Sequence, residues 1–340
     1  MRYTSLGRSG AVVSRFALGT MTFGAATTTE DAHAQLDLFA AAGGTFVETA
    51  DIYGNGEAER ILGAWLARLD DSARSRIFLA SKARFPVDVE PRDAGLSRRH
   101  LRRALDGSLT RLGVDHIDLY QMHSWDPITP LEESLDFLAD AVRVGKISYA
   151  GLSNFTGWQI AKAAGYARGR VPLVSMQPQY NLLVREVEWE ILPACEDAEL
   201  GVLPWSPLGG GWLTGKYAQN SVPQLSTRLG DYPDPDAMEA YDRRNRIPRT
   251  WSVLETLVGV AADRGVNSAA IALGWLLAKP GVTAVILGAR TIDQLRSNLA
   301  AIDLDLTTDE VSLLDSASDP APADYPYGPS ALRQRSRSIA

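Results

Sequence analysis

The chain has 340 residues, 45% hydrophobic and 22% charged, an ordinary globular composition in a chain long enough to bury a large core without staples. A net charge of −7 argues against a nucleic-acid surface, and the one cysteine, Cys195, excludes an internal disulfide and fits a reducing compartment. The opening MRYTSLGRSG has no apolar signal segment, and no apolar run approaches the roughly 18 residues of a membrane span, so the expected location is cytoplasmic.

Short apolar runs rich in branched residues alternate with amphipathic segments. Residues 15–20 (RFALGT) read as a strand and 29–42 as a helix closed by Gly43 and Gly44. Strand 45–49 precedes helix 57–68, strand 76–81 precedes helix 97–112, and strand 116–122 precedes helix 130–144. Strand 146–153 is followed by helix 156–167, strand 173–177 by helix 187–199, and strand 201–206 by a long irregular stretch. Helices near 250–264 and 268–278, strand 282–288 and helix 291–299 complete the pattern. Strands alternating with helices mean parallel crossovers, and eight such units predict a closed (β/α)8 barrel rather than an open doubly wound sheet.

No linker, repeat or composition break divides the chain, which reads as one domain over 1–340 with its barrel at about 15–300. Residues 1–14 predict a small hairpin capping the barrel floor. Two stretches depart from the alternation. Residues 209–250, with Gly209, Gly210, Gly211 and several prolines, form a long loop after the seventh strand, of the kind that is usually functional or disordered. The tail 317–340 is rich in Ala, Pro, Ser and Arg; it drapes over the barrel mouth or is a frayed terminus.

Barrels of this type place their active sites at the C-terminal ends of the strands. Strand two closes with Glu48, with Tyr53 in the following loop; strand three closes with Lys82 and strand four with His123. Strand five closes with Ser153 and Asn154, strand six with Gln177, strand seven with Trp205 and Ser206, and strand eight with Gly288, Ala289 and Arg290. Lys82 ends an apolar run, so its ammonium is expected to be partly desolvated and to seek a carboxylate, Glu48 being the candidate. A cation beside the Tyr53 phenol is expected to lower its pKa and make it a usable general acid, while His123 donates a hydrogen bond to a carbonyl oxygen. Taken singly, a strand-end lysine is usually just exposed and a lone histidine usually structural. Their succession on neighbouring strands points to a site that polarises C=O.

At these residues the sequence resembles the aldo-keto reductase family, bacterial in type and similar to the potassium-channel β-subunit-like branch. The resemblance spans roughly residues 2–315 and rests on TADIYGNGEAE (49–59), FLASK (78–82), IDLYQMH (117–123), GLSNF (151–155), QPQYNLL (177–183), WSPLGGGWLTGKY (205–217) and VILGARTIDQLRSN (285–298). It implies a (β/α)8 barrel, a nicotinamide cofactor across the rim, and catalytic Tyr53, Lys82, His123 and Glu48. It further implies Trp205 stacked on the nicotinamide, with Ser153, Asn154 and Gln177 on its carboxamide. Ser206, Pro207, Leu208, Gly209 and Lys216 are similar to the pyrophosphate segment. Gly288, Ala289 and Arg290 match the neighbourhood of the 2′-phosphate, with Gln294 and Asn298 nearer the adenine. Gly19, Thr20 and Met21 match the segment lining the site after the first strand. A guanidinium at a helix start favours a phosphate, so the expected cofactor is NADPH/NADP+ rather than NADH.

Phe85 and Trp125, directly after Lys82 and His123, are the foremost candidates for an apolar substrate wall; Phe23, Trp212, Tyr325 and Tyr327 fit either the wall or packing. The expected partner is a small-molecule carbonyl substrate, with neither nucleic acid nor membrane. His33, His100, His116 and His123 form no helical pair at ligand spacing, so no metal is expected. Segment 210–217 nearly fits a Walker A loop, but Tyr217 stands where a hydroxyl residue must hold magnesium, and no G-x-G-x-x-G follows the first strand. Arg98, Arg99, Arg102 and Arg103 read as a solvated helix face.

One departure from the family pattern matters. Glu48 stands five residues before Tyr53, where the family places aspartate, and the extra methylene adds roughly 1.5 Å of reach. The charge is retained, so activity is expected to persist but slowed. Glu48→Asp is then expected to preserve or raise turnover in a steady-state assay, and a fall would reject this reading. Two other readings stay open: a cofactor-binding, redox-sensing or regulatory subunit with weak turnover, and an enzyme whose working direction is alcohol oxidation.

Overall fold

The computed structural model describes residues 1–87, 93–225, 227–231 and 239–336. The expectations for the long loop at 226 and 232–238, and for the tail at 337–340, lie outside the described residues.

The chain opens with two short strands, Tyr3–Ser5 (β1) and Val12–Ser14 (β2), paired antiparallel. Eight parallel strands follow: Phe16–Gly19 (β3), Phe46–Glu48 (β4), Phe78–Ala83 (β5), Ile117–Met122 (β6), Ile147–Ser153 (β7), Leu173–Gln177 (β8), Gly201–Val202 (β9) and Val285–Leu287 (β10). They pair in the order β10-β3-β4-β5-β6-β7-β8-β9. A parallel bridge between Val202 and Val282 closes the ring, with Thr283 N donating to Val202 O at 2.8 Å and Ile286 N to Pro204 O at 3.0 Å. The strands read as unbroken apolar runs because both faces are covered.

The helices are Thr29–Ala41 (α1), Glu57–Leu66 (α2), Asp71–Arg74 (α3), Arg98–Leu112 (α4), Leu131–Arg143 (α5), Gly157–Ala167 (α6), Val187–Asp197 (α7), Arg228–Asp231 (α8), Tyr241–Asn245 (α9), Pro248–Arg264 (α10), Ser268–Ala278 (α11), Ile292–Leu299 (α12), Thr308–Ser318 (α13) and Pro329–Arg335 (α14). Their starts are set by local chemistry: Thr28, Ser97, Asn267 and Thr291 each accept a hydrogen bond from a first-turn N–H. Gly113 and Gly265 end α4 and α10 in the left-handed conformation.

Two apolar layers hold the barrel. Inside it, Ala17, Phe46, Ala80, Leu119, Val174, Leu203, Ala284 and Ile286 pack with Leu6 and Val13 of the hairpin. The hairpin is therefore a plug in the floor. Gly7, at φ 54, seats it, since a Cβ there would fall 2.3 Å from Val174 O. Outside the barrel, a larger cluster fills the space between strands and helices.

The differences from the sequence reading have local causes. β5 runs to Ala83, two residues beyond the expected end, so Lys82 lies within the strand. β9 keeps only two residues, because Pro204 has no N–H to give the ladder. The stretch expected to be irregular contains a tight helical turn at Gly209–Thr214 as well as α8 and α9. The described part of the tail is tied to the barrel: Ser318 Oγ accepts from Arg185 at 3.0 Å, and Tyr327 stacks on Trp189 in the first turn of α7. The arginines of α4 do form a solvated, ion-paired face, Arg98 with Asp140 and Arg103 with Asp93 at 2.9 Å.

Candidate active site

β4 and β5 present Glu48 and Lys82 to the same point at the upper end of the barrel. The Lys82 ammonium is fully buried and donates to Glu48 Oε1, to Thr49 O at 2.9 Å and to the Tyr53 Oη at 2.9 Å. It also lies 4.5 Å from the Tyr53 ring centre. Gly19 of β3 lies beside the carboxylate, and a Cβ there would stand 3.4 Å from Glu48 Oε2, an ordinary contact. Tyr53 opens a tight turn, Tyr53–Gly56, in which Gly54, Asn55 and Gly56 all take positive φ. The ring of His123, half-buried just past β6, meets the Tyr53 ring edge-on at 5.9 Å and the Phe85 ring at 5.0 Å.

The electrostatics correct one expectation. Burial, aided by the charge of Asp51, pushes the Tyr53 phenol above its usual value instead of lowering it. Exclusion of water outweighs the single cation, whose own charge is already met by Glu48. Burial also pushes the Lys82 ammonium down from its usual value, with Glu48 as the counter-charge. Burial, with Lys82 and Arg84 adding repulsion, lowers His123 to about 2, so its imidazole is neutral. Its Nδ1 is buried without a hydrogen-bond partner among the described residues.

Around this centre lie the residues matched to a cofactor. Ser153 Oγ donates to Gln177 O at 2.9 Å, and Asn154 Nδ2 donates to His123 O at 2.9 Å. Trp205 Nε1 donates to Asn154 Oδ1 at 3.0 Å, which fixes the indole. Gln177 Nε2 reaches towards Glu48 Oε1 at 3.4 Å. Ser206, at φ 51, donates its hydroxyl to Glu239, and Pro207 and Leu208 lead into Gly209, Gly210 and Gly211, all at positive φ. The N–H groups of these glycines are taken within the turn, Gly209 by Ser206 O at 2.9 Å, Gly210 by Ser206 Oγ at 3.3 Å and Gly211 by Leu208 O at 3.0 Å. Lys216, Arg228 and Arg290 converge: partial burial and the two guanidiniums lower the Lys216 ammonium. Arg290 lies two residues before α12 rather than in it, and its N–H is taken by Gln294 Oε1 at 2.8 Å. Asn298 Nδ2 donates to Gly288 O at 3.3 Å, so Gln294 and Asn298 brace the loop. A Cβ at Gly288 would meet nothing within 4 Å, and Ala289 is buried. Thr20 is buried with its Oγ1 unpartnered among the described residues, while Met21 is exposed. An orphan hydroxyl and three clustered cations suit a phosphate-bearing group.

The aromatic candidates separate. Phe85 lies against His123, and Trp125 meets Phe155 and Trp158 at ring distances of 5.3 Å each. Trp158, in the first turn of α6, is an exposed aromatic that the sequence reading did not single out. Phe23 and Trp212 are fully buried in the outer core, so they are packing residues. Tyr327 stacks on Trp189 and Tyr325 is exposed.

Several further residues reach this site. Asn181, fully buried, donates to Ser206 O at 2.9 Å and so holds the strained serine. Glu239 ties Ser206 and Gln179 to the long loop. Asp51 and Glu59 are fully buried carboxylates beside the tyrosine turn.

The profile of the aldo/keto reductase family matches residues 15–319, across the whole barrel. The chain belongs to the aldo/keto reductase family. It is similar to Uncharacterized oxidoreductase YrpG of Bacillus subtilis (strain 168), 38% identical over 93% of this chain and 95% of that protein. It is also similar to a probable voltage-gated potassium channel subunit beta of Oryza sativa subsp. japonica, 36% identical over 92% and 94%. A third relative, Versiconal hemiacetal acetate reductase of Aspergillus parasiticus, is 29% identical over 99% and 100%. Membership of this aldo/keto reductase family makes the barrel an oxidoreductase scaffold for small carbonyl compounds, in a family that uses nicotinamide cofactors.

Proposed function

We propose that this protein reduces an aldehyde or ketone to an alcohol with NADPH, and that Tyr53 is the proton donor. The observation that carries the reading is the buried Lys82 ammonium joining Glu48 to the Tyr53 hydroxyl beside a neutral His123. When bound, the dihydronicotinamide supplies the hydride. His123 donates a hydrogen bond to the carbonyl oxygen and draws charge onto it. Tyr53 delivers its proton to that oxygen as it becomes an alkoxide. A phenol held above its usual pKa keeps that proton at physiological pH, and an alkoxide is a far stronger base than a phenolate, so the transfer is downhill. Lys82 stabilises the phenolate left behind, and Glu48 anchors Lys82. Phe85 and Trp125 form one wall for the substrate. The same raised phenol pKa opposes alcohol oxidation near neutrality, which needs the phenolate at the start.

Trp205 is the stacking surface for the nicotinamide, with Ser153, Asn154 and Gln177 on its carboxamide and Gly19, Thr20 and Met21 alongside. Ser206, Pro207, Leu208, Gly209 and Lys216 receive the pyrophosphate. The preference for NADPH over NADH rests on Arg290, with Lys216 and Arg228 close to it. A charge-assisted hydrogen bond contributes about 1.5–3 kcal/mol, so Arg290→Ala is expected to weaken NADPH at least about tenfold and leave NADH unchanged. Fluorescence titration of Trp205 with each dinucleotide measures this; equal losses for both would remove Arg290 from the 2′-phosphate.

Similarity to a channel subunit beta supports a second reading, a cofactor-binding regulatory subunit with weak turnover. A panel of aldehydes and ketones, with NADPH absorbance followed, separates the two. Turnover lost in Tyr53→Phe supports the reductase, tight binding without turnover supports the subunit, and no binding of either dinucleotide rejects both.

A further inference from the structure

We infer that Glu59 is a positioning residue that holds the Tyr53 turn and the Lys82 strand in register from behind the barrel wall. The inference rests on the reductase reading for its kinetic part only.

Glu59 lies in the first turn of α2, the helix that continues from the Tyr53 turn, and it has no solvent exposure. Its Oε1 accepts from Ser81 Oγ at 2.7 Å, and its Oε2 accepts from Arg111 Nε of α4 at 2.7 Å. Ser81 immediately precedes Lys82 on β5. Successive strand residues face opposite sides, so the serine that faces Glu59 outside the barrel is rigidly linked to the lysine that faces Glu48 inside it. One carboxylate thus joins the element carrying Lys82 to the element carrying Tyr53.

The turn needs such a hold. Asn55 takes φ 54 between two glycines at φ 56 and φ 86, and a left-handed conformation at a residue with a side chain is strained unless its surroundings fix it. Arg111 supplies the floor: a Cβ on Gly56 would fall 2.7 Å from its Cδ, so the arginine stem is pressed against the turn. Arg111 is anchored there by Glu59 and also reaches Ser108 Oγ at 3.4 Å. The buried carboxyl of Asp51 and the Tyr120 hydroxyl complete the cluster, neither with a hydrogen-bond partner among the described residues. Asp51 is two residues from Tyr53, and its backbone N–H donates to Lys82 O at 3.1 Å. A displacement of α2 against β5 would therefore change the Lys82–Tyr53 contact directly, and about 1 Å of misplacement can cost about a hundredfold in rate.

A buried ion pair can be kept for stability alone, and replacing both partners with apolar residues is often neutral. Two double variants separate that role from positioning. Glu59→Leu with Arg111→Met removes the charges and the acceptor for Ser81. Glu59→Gln with Arg111→Met removes the charges but keeps an acceptor. With matched stability by urea unfolding, the first is expected to lose about tenfold or more in kcat, with KM and NADPH affinity within about twofold of wild type. The second is expected to recover most of that loss. Equal kcat in the two overturns the inference.

A second readout does not depend on turnover. In protein labelled with 13C at tyrosine Cζ, the Tyr53 resonance is assigned by its absence in Tyr53→Phe. It is expected to shift in the leucine variant and to stay in place in the glutamine variant. An unmoved resonance in both overturns the inference even where wild type reduces no carbonyl, a result that would sink the reductase reading separately. If the leucine variant does not fold, Ser81→Ala deletes the tie alone: kcat must fall at unchanged NADPH affinity, and unchanged kcat with an unmoved resonance overturns the inference.

Discussion

Lys82→Met is expected to abolish measurable carbonyl reduction and to destabilise the protein by about 3 kcal/mol, the lower end of the range for breaking a buried ion pair. The side chain has no solvent exposure and Glu48 is 2% exposed, so removing the ammonium leaves a carboxylate with no water to turn to. Gln177 Nε2, at 3.4 Å, is too far to satisfy it. Glu48 then takes up a proton, which caps the loss. Destabilisation should therefore shrink as pH falls, because the uncharged acid is tolerated where the carboxylate is not. Denaturant unfolding at two pH values tests this. Adding Glu48→Leu to Lys82→Met should restore most of the stability and none of the activity. A double variant that regained turnover would show that neither group serves Tyr53.

How much of this was legible in the sequence depended on the range over which each property is decided. The strands could be read because a parallel strand covered on both faces is a local apolar run, and the polar residue ending each run marks the rim. Glu48, Lys82 and His123 emerged in that way, and their convergence follows from the parallel barrel. Tyr53 carries no such signal, because it lies in a turn whose three left-handed residues are set by Gly54, Asn55 and Gly56. Its place in the loop after the second strand and the resemblance of TADIYGNGEAE to a family pattern pointed to it instead.

Glu59 shows the opposite limit. A carboxylate in the first turn of a helix ordinarily faces water and favours the helix dipole. This one is buried because Arg111 arrives 52 residues later in the chain and Ser81 arrives 22 residues later. Nothing local announces either partner. The expected sign of the Tyr53 shift failed for a related reason. Proximity of a lysine is visible in the sequence pattern, whereas the exclusion of water around the phenol is a property of the assembled site. The same holds for Phe23 and Trp212, aromatic like Phe85 but sealed in the outer core. The tail resisted reading because Ala, Pro and Ser carry little periodicity, while its described part is held by Ser318 meeting Arg185 and by Tyr327 meeting Trp189.

Tyr53→Phe is expected to lower kcat for reduction by about 10²- to 10⁴-fold, the usual contribution of a positioned proton donor, while NADPH binding stays within about twofold. Phenylalanine keeps the ring packing against His123 and removes only the hydroxyl, so the loss reports chemistry rather than folding. The pH dependence of wild type adds a sharper test. His123 is neutral above about 2, and the raised Tyr53 phenol keeps its proton through neutrality, so neither titrates between pH 5 and 7 and the reduction rate should be level there. A further group beside Tyr53 that changes charge is Asp51. Burial raises it to about 8, the charge of Glu59 adds to the rise, and Arg111 opposes it. Above that value Asp51 becomes charged, and its charge raises Tyr53 further and makes the phenol a poorer acid. Reduction should therefore decline as pH passes about 8, and Asp51→Asn should extend the level region upward. A decline that persists in Asp51→Asn would assign the break to Tyr53 or the cofactor. A Tyr53→Phe enzyme with a tenth or more of wild-type kcat would remove the phenol from the proton transfer altogether.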